Sequence, residues 1–311
     1  MHSKLTLTRR CLAIMATGAA AISSPANALN IFVCAPEWKA FLESHAPDAI
    51  IYSATTAQQD PHYVQARPSL IAKMRQADMA MCSGAELEVG WLPILQSRSS
   101  NAAVQHGVAR MIYAADFVRM LDKHDHVDRS MGDIHTHGNP HVQFAANEMI
   151  PLSLAITQRL QTIDPDNAHT YQLNGMKFRA HWHQQLNVWN KKAAPLKGKK
   201  VVGYHETYRY LYDWLGIKQI ADLEPKPGIS PTTSHLQFLT ELDADTFDAI
   251  VYSSHQDQRP ANWLRQHTGK PVIKLPLTVA DGERLDEMYD RVIDDLLNVL
   301  VAPASAKAPE S

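Results

Sequence analysis

The sequence predicts an α/β protein of two lobes, each built on a parallel sheet and joined to the other by one long helix. Two observations carry that prediction. Short apolar runs of buried-strand length occur in two sets of four, with helix-compatible stretches between them. Between the two sets lies a segment of helical composition that proline and glycine scarcely interrupt.

In the first set the runs are Leu29–Cys34, Ala49–Ser53, Asp78–Cys82 and Ala109–Ala114. A helix is expected over Pro68–Gln76, because a proline suits the first helical position, where its missing N–H costs nothing. The second set is Lys200–Tyr204, Ile217–Leu223, Ala249–Ser253 and Val272–Leu275. Strands alternating with helices imply right-handed crossovers, hence parallel pairing within each set. The connecting segment runs from Asp164 to Asn190, with Asp164 as a candidate cap and Pro165 in the first turn. At 1.5 Å per residue, ~25 helical residues span close to 40 Å, enough to cross both lobes and restrain their relative motion.

Composition is that of a globular protein, with 45% hydrophobic and 20% charged residues among 311, enough for two domains. The net charge of −2 argues against a nucleic-acid partner, which a basic face would attract. Residues 1–28 read as a cleaved export signal. Lys4, Arg9 and Arg10 supply the positive start, Cys11–Ile22 an apolar run too short to span a bilayer, and Ala26-Asn27-Ala28 the cleavage site. The Arg9-Arg10 pair is also compatible with the twin-arginine route. Cleavage removes three of the 30 cations and none of the 32 acids, taking the net charge from −2 to −5. The expected divisions are therefore 1–28 as signal, 29–160 and 194–301 as lobes, 161–193 as connecting helix and 302–311 as a disordered tail. Cys34 and Cys82 each end a strand-like run, and a disulfide and two buried thiols are both compatible with that placement.

The chemistry lies in the sixteen histidines, and in where three of them stand. Ligands of open α/β sheets gather beyond the carboxyl ends of strands. His62 follows the second strand, in Pro61-His62-Tyr63-Val64-Gln65; His141 lies in Gly138-Asn139-Pro140-His141-Val142-Gln143; His205 ends the first strand of the second set, in Gly203-Tyr204-His205-Glu206. Two belong to one lobe and one to the other, so an ion shared among them would occupy the cleft. Neutral imidazoles bind zinc and its neighbours at ~2.0–2.1 Å, and three or four complete a useful site.

The segments PHYVQARPS, GNPHVQ and VVGYHETYRYL, together with GAELEVGWLP at Gly84–Pro93, resemble those of the metal-binding receptors of ABC importers, the zinc/manganese class. The resemblance covers nearly the whole mature chain. It implies two Rossmann-like lobes with the metal at their interface, His62, His141 and His205 as ligands, no enzymatic activity, and a periplasmic monomer that delivers its ion to a membrane permease. Manganese-selective members resembling this chain carry a carboxylate where His205 stands, so a third imidazole favours Zn2+ over Mn2+. Cu2+ binds imidazole more tightly than zinc does, so discrimination against it depends on supply and geometry. The family's usual fourth ligand is an aspartate at the end of the last strand, where this chain has Leu275 in Lys274-Leu275-Pro276-Leu277. Asp281, His255, Glu224 and a water all remain candidates for that place.

A polar stretch over 121–140 carries His124, His126, His135 and His137 with Asp125, Asp128 and Asp133. It reads as a mobile His-rich loop that binds metal weakly through exchangeable ligands, or as a solvated loop with no such role. Similar loops in the zinc receptors gather ions or exchange them with a metal chaperone. His169, His181 and His183 on the connecting helix form no chelate, since i and i+2 face different ways. Two other functions compete. A secreted zinc hydrolase would use three histidines plus a bound water, with Glu206 as base, but no HExxH or comparable compact motif is present. A free-standing periplasmic metal chaperone would need no permease.

Overall fold

In the computed structural model, residues 28–124, 131–132, 134–242 and 246–301 are described. The signal segment up to Asn27, the tail from Ala302, and Asp125, His126, Asp128 and Asp133 of the polar stretch lie outside them. Among the described residues no helix is long and apolar enough to cross a membrane.

The first sheet holds β1 (Asn30–Val33), β2 (Ile50–Ser53), β3 (Met79–Cys82) and β4 (Met111–Tyr113) in the order β2-β1-β3-β4. The second repeats that order as β6-β5-β7-β8, from β5 (Lys200–Gly203), β6 (Lys218–Asp222), β7 (Ala249–Ser253) and β8 (Val272–Leu275). Every pairing is parallel. Each strand appears within the apolar run that predicts it; β7 and β8 fill theirs and the other six are trimmed at one or both ends. The run at 109–114 shortens most, because Met111 N–H donates to the Val108 carbonyl and a turn occupies its start.

The helices are α1 (Pro36–Glu43), α2 (Pro68–Gln76), α3 (Leu92–Ser99), α4 (Met149–Ile163), α5 (Ala168–Lys192), α6 (Arg209–Leu215), α7 (Thr233–Thr240), α8 (Gln258–Thr268) and α9 (Leu285–Leu300). The connecting helix α5 has 25 residues but begins at Ala168, not at Asp164. The cause is local. Asp164 ends α4, and its carboxylate accepts hydrogen bonds from Asn167 Nδ2 and the Tyr171 hydroxyl across a separate 3-10 turn at Pro165–Asn167. The approach to α5 is thus a helical pair, α4 then α5.

What locks the lobes is an aromatic spine on α5. Phe178 meets Phe41 of α1 edge-on, with centroids 5.1 Å apart. Trp182 and Trp189 pack on Tyr289 of α9 at 5.3 and 5.2 Å. Both indoles are satisfied, Trp182 by the Ala146 carbonyl and Trp189 by Asp290. Aromatic pairs of this kind contribute about 0.5–1.5 kcal/mol each beyond their burial. One apolar cluster runs through it, from Ile31 and Met79 of the first sheet to Val251 and Ile273 of the second. The carboxyl ends of both sheets then face one another across a cleft.

Candidate metal centre

Each of the three histidines is fixed by its neighbours before any ligand is considered. His62 lies in the loop after β2. Its backbone N–H donates to Asp60 Oδ1 at 3.0 Å, and its ring Nδ1 lies 2.7 Å from the same oxygen. Trp91 Nε1 donates to the Pro61 carbonyl and anchors that loop to the segment before α3. His141 takes its position from Asn139, whose side-chain oxygen accepts the His141 N–H at 3.0 Å. Asn139 Nδ2 in turn donates to the Glu206 carbonyl at 2.8 Å, and the Tyr210 hydroxyl donates to the Asn139 carbonyl at 2.8 Å. The loop that presents His141 is therefore bonded directly to the segment that presents His205. His205 follows β5, with Nδ1 2.9 Å from Glu224 Oε2.

The three rings meet. Centroids are 5.5 Å apart for His62 and His141, 5.6 Å for His141 and His205, and 6.1 Å for His62 and His205. One nitrogen from each falls within 4.8 Å of the other two. A tetrahedral ion with ~2.0–2.1 Å bonds needs nitrogens about 3.3 Å apart, a contraction of at most about 1.5 Å from this arrangement. Among the described residues, His62 Nε2 and both nitrogens of His141 are buried without a hydrogen-bond partner. Buried polar atoms are rarely left so, because each costs about 1–3 kcal/mol. The donor set fits a borderline-soft divalent ion.

Electrostatics differ among the rings. His141, 1% exposed, is held well below the usual histidine range by burial and then by the neighbouring imidazoles. Burial pulls His205 down as well, but the Glu224 hydrogen bond and charge outweigh it and raise the ring above its ordinary value. His255 is lowered, chiefly by burial. Burial pushes Asp60 up, but its bonds with His62 prevail and hold it below the ordinary carboxylate value.

Of the candidates for a fourth position, Glu224 and His255 line the same cavity of about 250 Å³ as the three histidines. Glu224 is engaged by His205 and also accepts the Gly228 N–H at 2.9 Å. His255 Nδ1 lies 3.0 Å from the Ser253 hydroxyl. Asp281 is exposed on the turn before α9 and is not among the cavity's lining residues. Leu275, where the resemblance would place an aspartate, is fully buried in the shared core.

Within the stretch at 121–140, expected to be a mobile His-rich loop, the described residues are held on either side of the part that lies outside them. Both ends are pinned: Asn139 N–H donates to the Leu121 carbonyl, Leu121 N–H to the Tyr210 hydroxyl, and Thr136 N–H to Glu86. His135 is buried and stacks on His62 with centroids 5.5 Å apart. His124 and His137 instead line a separate cavity of about 900 Å³ with Glu86, His106 and Asp116. Cys34 and Cys82 form a disulfide between the ends of neighbouring strands β1 and β3, so those sulfurs are not metal donors. His169, His181 and His183 are exposed on α5, and His181 pairs with Asp286 at 2.8 Å. Sequence reasoning missed Asp60, Asn139 and Tyr210. Asp60 alone left a signal, as an acid two residues before a ligand.

The family model described as "Zinc-uptake complex component A periplasmic" matches residues 44–302. The chain belongs to the ZnuA family. ZnuA-family proteins are substrate-binding proteins, not enzymes, which removes the hydrolase reading. The high-affinity zinc uptake system protein ZnuA of Yersinia pestis is 24% identical over 195 residues, 58% of this chain and 61% of that protein. The manganese ABC transporter substrate-binding lipoprotein PsaA of Streptococcus pneumoniae is 21% identical over 252 residues, 77% of each chain. A crystal structure of ZnuA superposes with a TM-score of 0.74 at 19% identity, covering 88% of this chain and 99% of that one. A manganese-bound periplasmic metal-binding protein from Candidatus Liberibacter asiaticus gives 0.69 at 17% identity, covering 87% and 98%. The fold is thus the two-lobed α/β architecture of ZnuA structures, with two parallel four-stranded sheets joined by a long helix.

Proposed function

We propose that this protein is an exported receptor that captures a divalent transition ion, zinc before manganese or copper, and delivers it to the membrane permease of an ABC importer. The observation that carries the reading is the convergence of His62, His141 and His205 from two lobes, with buried nitrogens on His62 and His141 that no protein group satisfies among the described residues. The named relatives include both a zinc and a manganese protein. Three converging imidazoles favour the zinc side of that pair, because oxygen ligands suit manganese better. Export through residues 1–28, by either route, would place the mature protein in the periplasm. In this reading residues 29–160 and 194–301 act as the two jaws, 161–193 as their connecting helix, and the ion is cargo to be released on docking.

Titration calorimetry of metal-stripped protein tests this. One tight zinc site per chain is expected, weakened at least tenfold (about 1.4 kcal/mol) by alanine at each of the three histidines. Wild-type affinity in all three variants would refute the site, and tighter binding of manganese than zinc would refute the cargo.

A further inference from the structure

We infer that Asp60 and Glu224 are positioning residues for the metal: each holds one imidazole in the Nδ1–H form, and together they supply the negative charge that offsets the ion. The inference rests on the metal-capture reading and deepens it. A carboxylate oxygen only accepts a hydrogen bond, so Nδ1 of His62, 2.7 Å from Asp60, and Nδ1 of His205, 2.9 Å from Glu224, must carry the protons. That leaves the lone pair on Nε2 of both rings. The tautomer a ligating histidine adopts is set by the bond its other nitrogen makes.

Neither carboxylate depends on its histidine ring for its own placement. Asp60 Oδ1 also accepts the His62 backbone N–H, and Glu224 Oε2 accepts the Gly228 N–H. His141 has no comparable partner on either ring nitrogen among the described residues and is located through Asn139 and the backbone instead. The site is thus built asymmetrically, with two oriented rings flanking a third that is held by its loop.

Charge gives the second half of the argument. Around the cavity stand Asp60, Glu224 and four histidines, with no lysine or arginine among the lining residues. A bare divalent ion in a buried site would carry a large desolvation cost, which nearby opposite charge offsets. Two carboxylates one bond removed from the ligands match two positive charges. They do so without occupying coordination positions, which leaves the three imidazole nitrogens to the ion. Glu224, a candidate for direct ligation on sequence grounds, is thereby assigned to orientation.

The test uses the full mature chain with Asp60→Asn, Asp60→Glu and Glu224→Gln. Zinc dissociation constants come from chelator competition, coordination geometry from cobalt absorption spectra, and tautomers from long-range nitrogen NMR of the metal-free protein. The expected result is zinc binding weakened ~10–100-fold by Asn and Gln, the usual cost of losing such a partner, with one site and a tetrahedral cobalt spectrum retained. Glutamate at 60 should recover part of the loss. In wild type His62 and His205 should both report Nδ1–H. Nε2–H at either ring in wild type, or affinities within twofold of wild type in both neutral variants, would overturn the proposal. So would a cobalt spectrum in Glu224→Gln that marks loss of a direct ligand. A wild-type chain that binds no metal would sink the receptor reading, whereas the tautomers of metal-free protein would still decide the positioning.

Discussion

Replacing His141 by phenylalanine should strengthen the metal-free protein while disabling it. His141 is 1% exposed, and neither of its ring nitrogens has a hydrogen-bond partner among the described residues. An unsatisfied buried polar group costs about 1–3 kcal/mol, and phenylalanine keeps the ring while removing both nitrogens. The metal-free variant should therefore unfold later than wild type by a few degrees, at about 2–4 °C per kcal/mol for a chain near this size. Zinc at a thousandfold excess over the dissociation constant adds about 4 kcal/mol to wild type. For a site weakened tenfold or more, it should add about 2.7 kcal/mol or less to the variant. His45 is the internal control. It is as deeply buried, but its Nδ1 lies 2.8 Å from the Phe41 carbonyl and its Nε2 2.7 Å from the Ser153 hydroxyl. The same substitution at His45 breaks satisfied bonds and should destabilise by about 2 kcal/mol or more, with the zinc increment retained. Differential scanning calorimetry of the three proteins, with and without zinc, reads all six states. A metal-free His141→Phe protein less stable than wild type, or one with a full zinc increment, would refute the reasoning.

Zinc affinity should be level above the histidine range and fall as pH drops, because only neutral imidazole binds. His205 lies above its ordinary value, so proton competition should begin above pH ~6.5 rather than below it, which calorimetry across pH 5.5–8 would detect. Glu37 of α1 is buried, accepts a hydrogen bond from Thr278 of the other lobe, and is raised from 4.5 to about 7 by burial. Its folded value exceeds its unfolded one, so its contribution is complete below 4.5 and lost as pH rises through 7. Glu37→Gln should therefore gain stability relative to wild type between pH 5 and pH 8, by up to about 3 kcal/mol in urea unfolding. The Cys34–Cys82 bond closes a separation of 48 residues. Replacing both cysteines by alanine should cost about 2–4 kcal/mol of stability and leave zinc affinity near wild type. Alanine at both His124 and His137, which line the separate cavity, should leave the tight site's stoichiometry unchanged in the same calorimetric titration.

Much of the fold was legible because buried parallel strands are apolar on both faces and announce themselves as runs. Met79–Cys82 and Ala249–Ser253, buried throughout, are the clearest cases. Helix α2 spans the predicted Pro68–Gln76, and Pro68 is the signal that opens it. The start of α5 was not, because the competing Asp164–Tyr171 bond is a contact across a turn that no local propensity encodes. At the candidate site the three histidines stood out through strand-end context. What makes them one site is tertiary: the Asn139–Glu206 bond joining two loops 67 residues apart, and the Glu224–His205 contact across 19. His135 reads as one histidine of a polar loop, yet it packs on His62, a placement set by the pinned ends of its segment.

X-ray absorption at the zinc edge, on protein loaded with one equivalent, tests the central claim most directly. Three imidazole nitrogens at about 2.0–2.1 Å should be resolved in wild type, with one fewer in each variant lacking His62, His141 or His205. A spectrum fitted by oxygen alone, or one unchanged by removing any of the three, would contradict it.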